Sequence, residues 1–396
     1  MIYAIAGSFA SVFMLAKGYS NIHIGITIAM ANLVALLLQP FIADRMDTVK
    51  GTRMIDALAS LALGMMLTGI GYFVFRGGTF MLAFVIMVLL AFHAILQPLL
   101  NTLAFRLSES GVKVSFGIGR AGGSLGYSAI LAVLGTLVER KGEMAVPVCA
   151  EAACALLILL LLLMKYSFNR IRRTAAAVTP ELTDDADPVS QVADEEERID
   201  LRSFIKRNRI FFIVNLGVAA ALFSNSILSN YMAQIAGNVN GTTEQVGRIL
   251  SLMALAEIPV MLFYDRINKH FSNRTLVKVS ALGLTAKIVV FWLARSVSLL
   301  YAAQIFQFVA FALLMPSMVY YINEIMSPGE AVKGQALFTM MMTLSTIVAS
   351  LAGGWMLDAY GVRTVTFIST VVTAAGAAVI ILYIDKVKDH RRLSND

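Results

Sequence analysis

The stretch "GITIAMANLVALLLQPFIADR", residues 25–45, returns in altered form as "GRILSLMALAEIPVMLFYDR", residues 247–266. Each opens on a glycine, stays mostly apolar, and closes on an Asp-Arg pair, Asp44–Arg45 and Asp265–Arg266. The glycine-to-aspartate intervals are 19 and 18 residues. A second set of landmarks keeps step: Pro98 leads to Gly117 over 19 residues, and Pro316 to Gly334 over 18. The offsets between the copies stay between 217 and 222, so the chain reads as two related halves in parallel order.

Composition identifies the solvent of those halves. Apolar residues make up 58% and charged residues 14% of the 396, against roughly 45–50% and 25% in soluble domains. Mean hydropathy is +0.76. The chain lacks the polar surface a soluble fold needs and is read as an integral membrane protein. Crossing a bilayer takes about 20 apolar residues in a helix. Such segments fall at 1–16, 24–43, 54–75, 80–104, 116–137 and 144–164, then at 210–232, 246–264, 276–293, 299–322, 335–357 and 365–384. The expected fold class is all-α: twelve transmembrane helices in two six-helix bundles, residues 1–166 and 209–396, joined by a linker at 167–208.

The linker is a different material. Its middle, "DDADPVSQVADEEERID" (184–200), lacks the apolar content to fold, and disorder is expected there. Its basic ends suit anionic lipid headgroups. Orientation follows from Lys and Arg. With the linker and both termini cytoplasmic, 23 of the 32 basic residues lie inside. Arg120 and Lys287 fall within spans, and seven remain outside, Arg295 and Arg363 among them. The net charge of +7 is therefore explained by topology, and no nucleic-acid partner is expected. The first segment opens at Met1 without a basic lead, and its 16 residues would rise only about 24 Å. It reads as a truncated first helix.

Soluble-type catalysis finds no foothold. No P-loop, G-x-S-x-G element or metal-spaced His/Cys/Asp cluster appears, and Cys149 and Cys154 read as small apolar residues. An enzyme activity, a metal and a cofactor are not expected. Charge inside a span is another matter, because it is costly and by default functional. "FGIGRAGGSLGYS" (116–128) places Arg120, Ser124 and Tyr127 at i, i+4 and i+7, one polar stripe on a helix. Gly119, Gly123 and Gly126 form a neighbouring stripe, and Gly122 and Gly126 share small-residue spacing, which is expected to let another helix approach closely. Glu257 sits near the middle of the eighth segment, Lys287 in the ninth, and Gln304 and Gln307 in the tenth. Asn101 and Asn225 add hydrogen-bonding groups, whereas Glu151 and His93 match no motif and stay unassigned.

Twelve spans divided six and six, an Asp-Arg pair closing the second and eighth, and a long linker together resemble the major facilitator superfamily. That resemblance implies a midplane site between two bundles and alternating access. It also implies that Asp44, Arg45, Asp265 and Arg266 latch one conformational state. Gly117, Arg120, Gly123, Gly126 and Tyr127 are similar to the fifth-helix pattern of the oligosaccharide/proton symporter (lactose permease-like) branch. By that resemblance Arg120 hydrogen-bonds solute hydroxyls, Tyr127 stacks on a sugar ring, and Glu257 binds solute and takes part in coupling. Departures are also plain. Lys287 stands where the branch carries arginine, Gln307 where it carries histidine, Ala310 and Asn101 where it carries glutamates. Glutamine can replace histidine's hydrogen bonds but not its titration, which leaves Glu257 as the remaining proton carrier. The expected function is secondary transport of a sugar or similar hydroxylated solute by proton symport, in the cell membrane, as a monomer whose partners are solute, protons and lipid. An exporter of amphipathic compounds and a non-transporting receptor on the same fold are the alternatives.

Overall fold

A computed structural model describes residues 2–47, 51–75, 77–109, 116–178 and 201–387. They form α1 (Ile2–Ala6), α2 (Ala10–Ala16), α3 (Asn21–Asp47), α4 (Gly51–Gly69), α5 (Gly71–Val74), α6 (Phe80–Glu109), α7 (Phe116–Lys141) and α8 (Ala145–Val178). After the linker come α9 (Leu201–Arg207), α10 (Arg209–Asn230), α11 (Met232–Gly237), α12 (Thr243–His270), α13 (Asn273–Leu293), α14 (Val297–Ala302), a 3-10 turn (Ala303–Phe308), α15 (Phe311–Ile325) and α16 (Pro328–Tyr383). Helix is the expected answer for one chain in lipid, where each backbone N–H and C=O must find its partner within the segment.

Ten runs among the described residues are long and apolar enough to cross a membrane. The last, Glu330–Lys386, has 57 residues, about 85 Å as one helix against a hydrocarbon core of about 30 Å. It is two passes. The break is Gly361, whose φ of 75° and ψ of 177° are not helical and suit a residue without Cβ. The first span is also interrupted: a turn at residues 7–9 separates α1 from α2. The expected linker at 167–208 is helical at both ends. Helix α8 runs on to Val178 through good helix formers, and α9 buries Phe204 in the C-terminal core. Residues 179–200, which hold the whole acidic middle, lie outside the described residues.

Two pairs of helices join the halves: α3 with α16, and α7 with α12. Their approach is closest at glycines. A Cβ on Gly247 would overlap the Leu131 carbonyl oxygen and sit 2.9 Å from Gly135 Cα, and one on Gly25 would overlap the Ser350 carbonyl oxygen. Around these points one apolar core crosses the halves, with Ile24, Leu131 and Leu134 packed in the same cluster as Tyr231, Val246 and Met356. A second core, around Phe211, Tyr321 and Met326, stays within the C-terminal half. The fold is therefore closed between the halves at one end, the end opposite the linker.

Candidate functional site

The packing of α7 on α12 sets the level of everything near the centre. Ser128 and Ser251 exchange a buried hydroxyl hydrogen bond of 2.7 Å, and the Ser128 hydroxyl lies 3.1 Å from the Ser251 carbonyl. The two helices run antiparallel, since contacts proceed from Gly135–Gly247 to Ser128–Ser251. Six residues beyond Ser251, about 9 Å at helical rise, stands Glu257. Four and eight residues before Ser128, about 6 and 12 Å along α7, stand Ser124 and Arg120. Backbone positions of the two sequence-predicted clusters thus share one level.

In the C-terminal half three elements bring their polar side chains into one chain of hydrogen bonds. The Lys287 ammonium on α13 donates to Gln307 Oε1 at 2.6 Å. Gln307 Nε2, on the 3-10 turn, donates to Glu257 Oε1 on α12 at 3.0 Å. Lys287 is 1% and Gln307 0% exposed, while Glu257 is half-buried. A buried charge costs several kcal/mol unless it is paired and hydrogen-bonded. The carboxamide meets that need by accepting on the cationic side and donating on the anionic side, so each bond polarises the next.

Local backbone irregularity makes this reach possible. The tenth span leaves α-helical geometry over Ala303–Phe308, and Ala310 has φ −90° and ψ −115°. Such backbone is tolerated at membrane depth only inside protein, and Ala310 is fully buried. Gly283 on α13 admits it: a Cβ there would lie 2.7 Å from the Val309 carbonyl oxygen. Lys287 is one turn further along the same face of α13.

The N-terminal half contributes Tyr127, half-buried, whose hydroxyl lies 2.6 Å from the Ser8 hydroxyl. Ser8 sits in the turn between α1 and α2, so the break in the first span delivers a polar group that a continuous apolar reading passes over. Ser124 is half-buried on α7. Arg120 and Asn101 occupy helical positions, but their side chains lie outside the described residues, as does that of Asp44. Gln304 is buried and donates to the Leu300 carbonyl at 3.2 Å. The side-chain oxygens of Gln304 and Asn225 are buried without a hydrogen-bond partner among the described residues. His93 is half-buried on α6, and Glu151 packs against Gly69.

One expectation fails. Gly122 and Gly123 do not seat a neighbouring helix, since a Cβ on either would meet nothing within 4 Å. They lie toward the open end of α7, and the close approach is further along, at Gly135. Of the candidate latch residues, Arg45, Asp265 and Arg266 are exposed. Asp265 accepts from the Tyr320 hydroxyl at 2.9 Å, Arg266 lies 5.8 Å from the Phe263 ring centroid, and Arg45 is exposed near the end of α3.

The closed end has latches of its own, which the sequence reading missed. Asp358 accepts from the Asn21 and Ile22 backbone N–H groups at 3.1 and 2.8 Å and from the Asn21 side chain at 2.8 Å. Glu139 accepts from the Thr243 backbone N–H at 2.8 Å. Each carboxylate closes the end of one helix and meets the N-terminus of a helix in the other half, where unpaired N–H groups and the helix dipole favour negative charge. The signal was in the repeat: Glu139 and Asp358 are 219 positions apart and Asn21 and Thr243 are 222 apart.

The MFS_1 like family model matches residues 1–369. A "Putative sugar efflux transporter" of Deinococcus radiodurans is 25% identical over 137 residues, 35% of this chain and 35% of that protein, so the match spans about a third of the relative's length. Two crystal structures of the nucleoside transporter NupG superpose on the whole fold at 15% identity. The structure of a point mutant gives a TM-score of 0.73 over 97% of this chain and 96% of that one. The other gives 0.67 over 97% and 98%.

Proposed function

The chain belongs to the MFS_1 like family, a multi-pass membrane transporter by kinship and not an enzyme; from that premise we propose that it moves a small ring-bearing polyol, a sugar or a close relative, by proton-coupled alternating access. Residues 1–166 and 209–396 are the two bodies that rock about the central level, and 167–208 is the tether between them. The linker and both termini face the cytoplasm of the cell membrane, where the basic residues gather, and a single chain is the working unit. Arg120, Ser124 and Tyr127 from one half, with Asn101, Asn225, Gln304, Gln307 and Glu257 from the other helices around the cavity, hold the solute.

The observation that carries this reading is the Lys287–Gln307–Glu257 chain. With Glu257 ionised, the carboxamide is engaged at both ends and the buried cation is balanced. A proton on Glu257 removes one acceptor charge and loosens Gln307, whose carboxamide then suits a pair of solute hydroxyls. Proton and solute thereby favour each other's binding, which is the thermodynamic content of symport. Tyr127 supplies the flat apolar face that a sugar ring stacks upon.

Reconstituted vesicles test it. Sugars and nucleosides are offered with the exterior acidified, and accumulation above the exterior level is expected for at least one. Glu257→Gln should abolish that accumulation while leaving counterflow of the same solute. Accumulation in the variant that still follows the pH gradient removes Glu257 from coupling. The name of the Deinococcus relative favours a second direction, export. Accumulation only with the interior acidified would establish proton exchange in place of symport, and no solute movement at all would return the receptor reading.

A further inference from the structure

We propose that the closed end of the C-terminal half carries a separate anion site, in which Arg295 and Arg363 hold a phosphate group, that of an anionic phospholipid in the adjacent leaflet. The site is a cavity of about 350 Å³ lined by Asn238, Trp292, Arg295, Arg363 and Thr366 among others. It lies away from the Glu257 level, among the loop after α11, the end of α13, the start of α14 and the first turns after Gly361.

Three features point to an anion. The first is unbalanced charge. At the same end Lys17 pairs with Glu143 and Arg248 with Glu244, whereas Arg295 and Arg363 share a cavity and neither makes an ion pair among the described residues. The second is position. Arg363 stands in the first turn after the Gly361 break, where the helix dipole is itself positive, so the sequence puts a cation where a carboxylate would be favoured. An anion between the two guanidiniums resolves both conflicts, and the guanidinium fork suits two phosphate oxygens at once. The third is topology. These are two of the seven basic residues outside the spans on the less basic side, the side where positive charge is scarce, and both line one pocket.

The surroundings favour a lipid as the source of that phosphate. Trp292 packs on Phe367 with ring centroids 5.1 Å apart, the kind of aromatic pair that sits at headgroup depth. Phe367 and, one turn deeper on the same helix face, Val371 are exposed by 46% and 52%, apolar surface on which an acyl chain can lie. A soluble phosphate ester would use the arginines but leave that surface bare.

Equilibrium binding to the purified full chain in non-ionic detergent tests the site, and the readout does not depend on transport or on which leaflet the end faces. Dioctanoyl-phosphatidylglycerol, dioctanoyl-phosphatidylcholine and glycerol 1-phosphate are titrated against thermal stability and native mass. Phosphatidylglycerol is expected to bind about tenfold more tightly than phosphatidylcholine, and the Arg295→Gln/Arg363→Gln double variant to lose that preference, as expected when charge-assisted contacts are removed. Arg363→Gln alone should lose part of it, which keeps the test available if the double variant folds poorly. Equal phosphatidylglycerol binding by wild type and variants overturns the proposal. Displacement of the lipid by glycerol 1-phosphate at similar concentration retains the phosphate site and overturns the lipid as its source.

Discussion

The two ends of the α7–α12 pair are made from the same helices and behave oppositely. At one end Gly135 and Gly247 bring backbones into contact, Ser128 bonds Ser251, and Glu139 meets the start of α12. At the other, Gly122 and Gly123 face open space, and Asp265 and Arg266 are exposed. The α3–α16 pair repeats the closed pattern through Gly25, Ser350 and Asp358. Small residues at a helix interface are thus no proof of contact in a given state. In this structure the joint between the two helices is held by the glycines at the end away from the linker.

The largest effect should come from filling the closed end. Gly247→Trp puts an indole where even a methyl group overlaps α7, and overpacking of this kind costs about 1–3 kcal/mol. That is enough to shift the open-to-closed population by roughly 5- to 150-fold. Transport should fall by a similar order while solute binding survives, and a single cysteine at the Asn238–Gly241 loop should react faster with a membrane-impermeant reagent. Unchanged labelling would show that the glycine contact does not hold the end shut. Gly122→Trp is the mirror experiment: the side chain has room in this state, so folding should be normal, and labelling at the closed end should slow because the opposite end can no longer close. If both variants move labelling in the same direction, the two ends are not alternatives.

Smaller effects are expected at the carboxylate caps. Glu139→Gln and Asp358→Asn each remove a charged acceptor from a helix start, worth about 1 kcal/mol. Each alone should speed labelling several-fold, and the pair should act additively because the sites are on different helix pairs. A strongly non-additive pair would mean that the two caps act as one unit. Smallest of all is the tether of Lys17 to Glu143, 3.1 Å long, which fastens α2 to the turn before α8 within one half. Its own backbone N–H, and then Lys17, hold the Glu143 carboxyl below the usual carboxylate range. The contribution is present above the ordinary glutamate value and is lost as pH falls through the depressed one. Acidifying through that range should lower thermal stability more for wild type than for Glu143→Gln, whereas labelling at the closed end should not change.

Much of this architecture was legible in the sequence. Hydropathy and length located the spans, and the repeat of Gly25–Asp44 in Gly247–Asp265 marked α3 and α12, which prove to pack against the other half. Glu257, Lys287 and Gln307 were singled out because charge and amide groups are expensive in lipid, and they prove to be neighbours. Less visible was everything that depends on backbone irregularity. The turn at residues 7–9, the 3-10 stretch at 303–308 and the non-helical Ala310 all lie within apolar runs whose composition suits an unbroken helix, so Ser8 and the reach of Gln307 were hidden. The caps escaped notice for another reason. A carboxylate near a span's end reads as an ordinary surface charge until the helix it faces is known, although Glu139 and Asp358 recur at the repeat's own offset.

Those caps give the closed joint a property of subunit assemblies rather than of single chains. Glu139 reaches from the first half to the second, and Asp358 from the second to the first, so each half lends an acid and borrows one. This is the self-complementary exchange by which twin subunits meet about a two-fold axis, here drawn within one polypeptide. Neither half is the door and neither the frame. To part this seam, its two sides must let go together, each holding the other by the same grip.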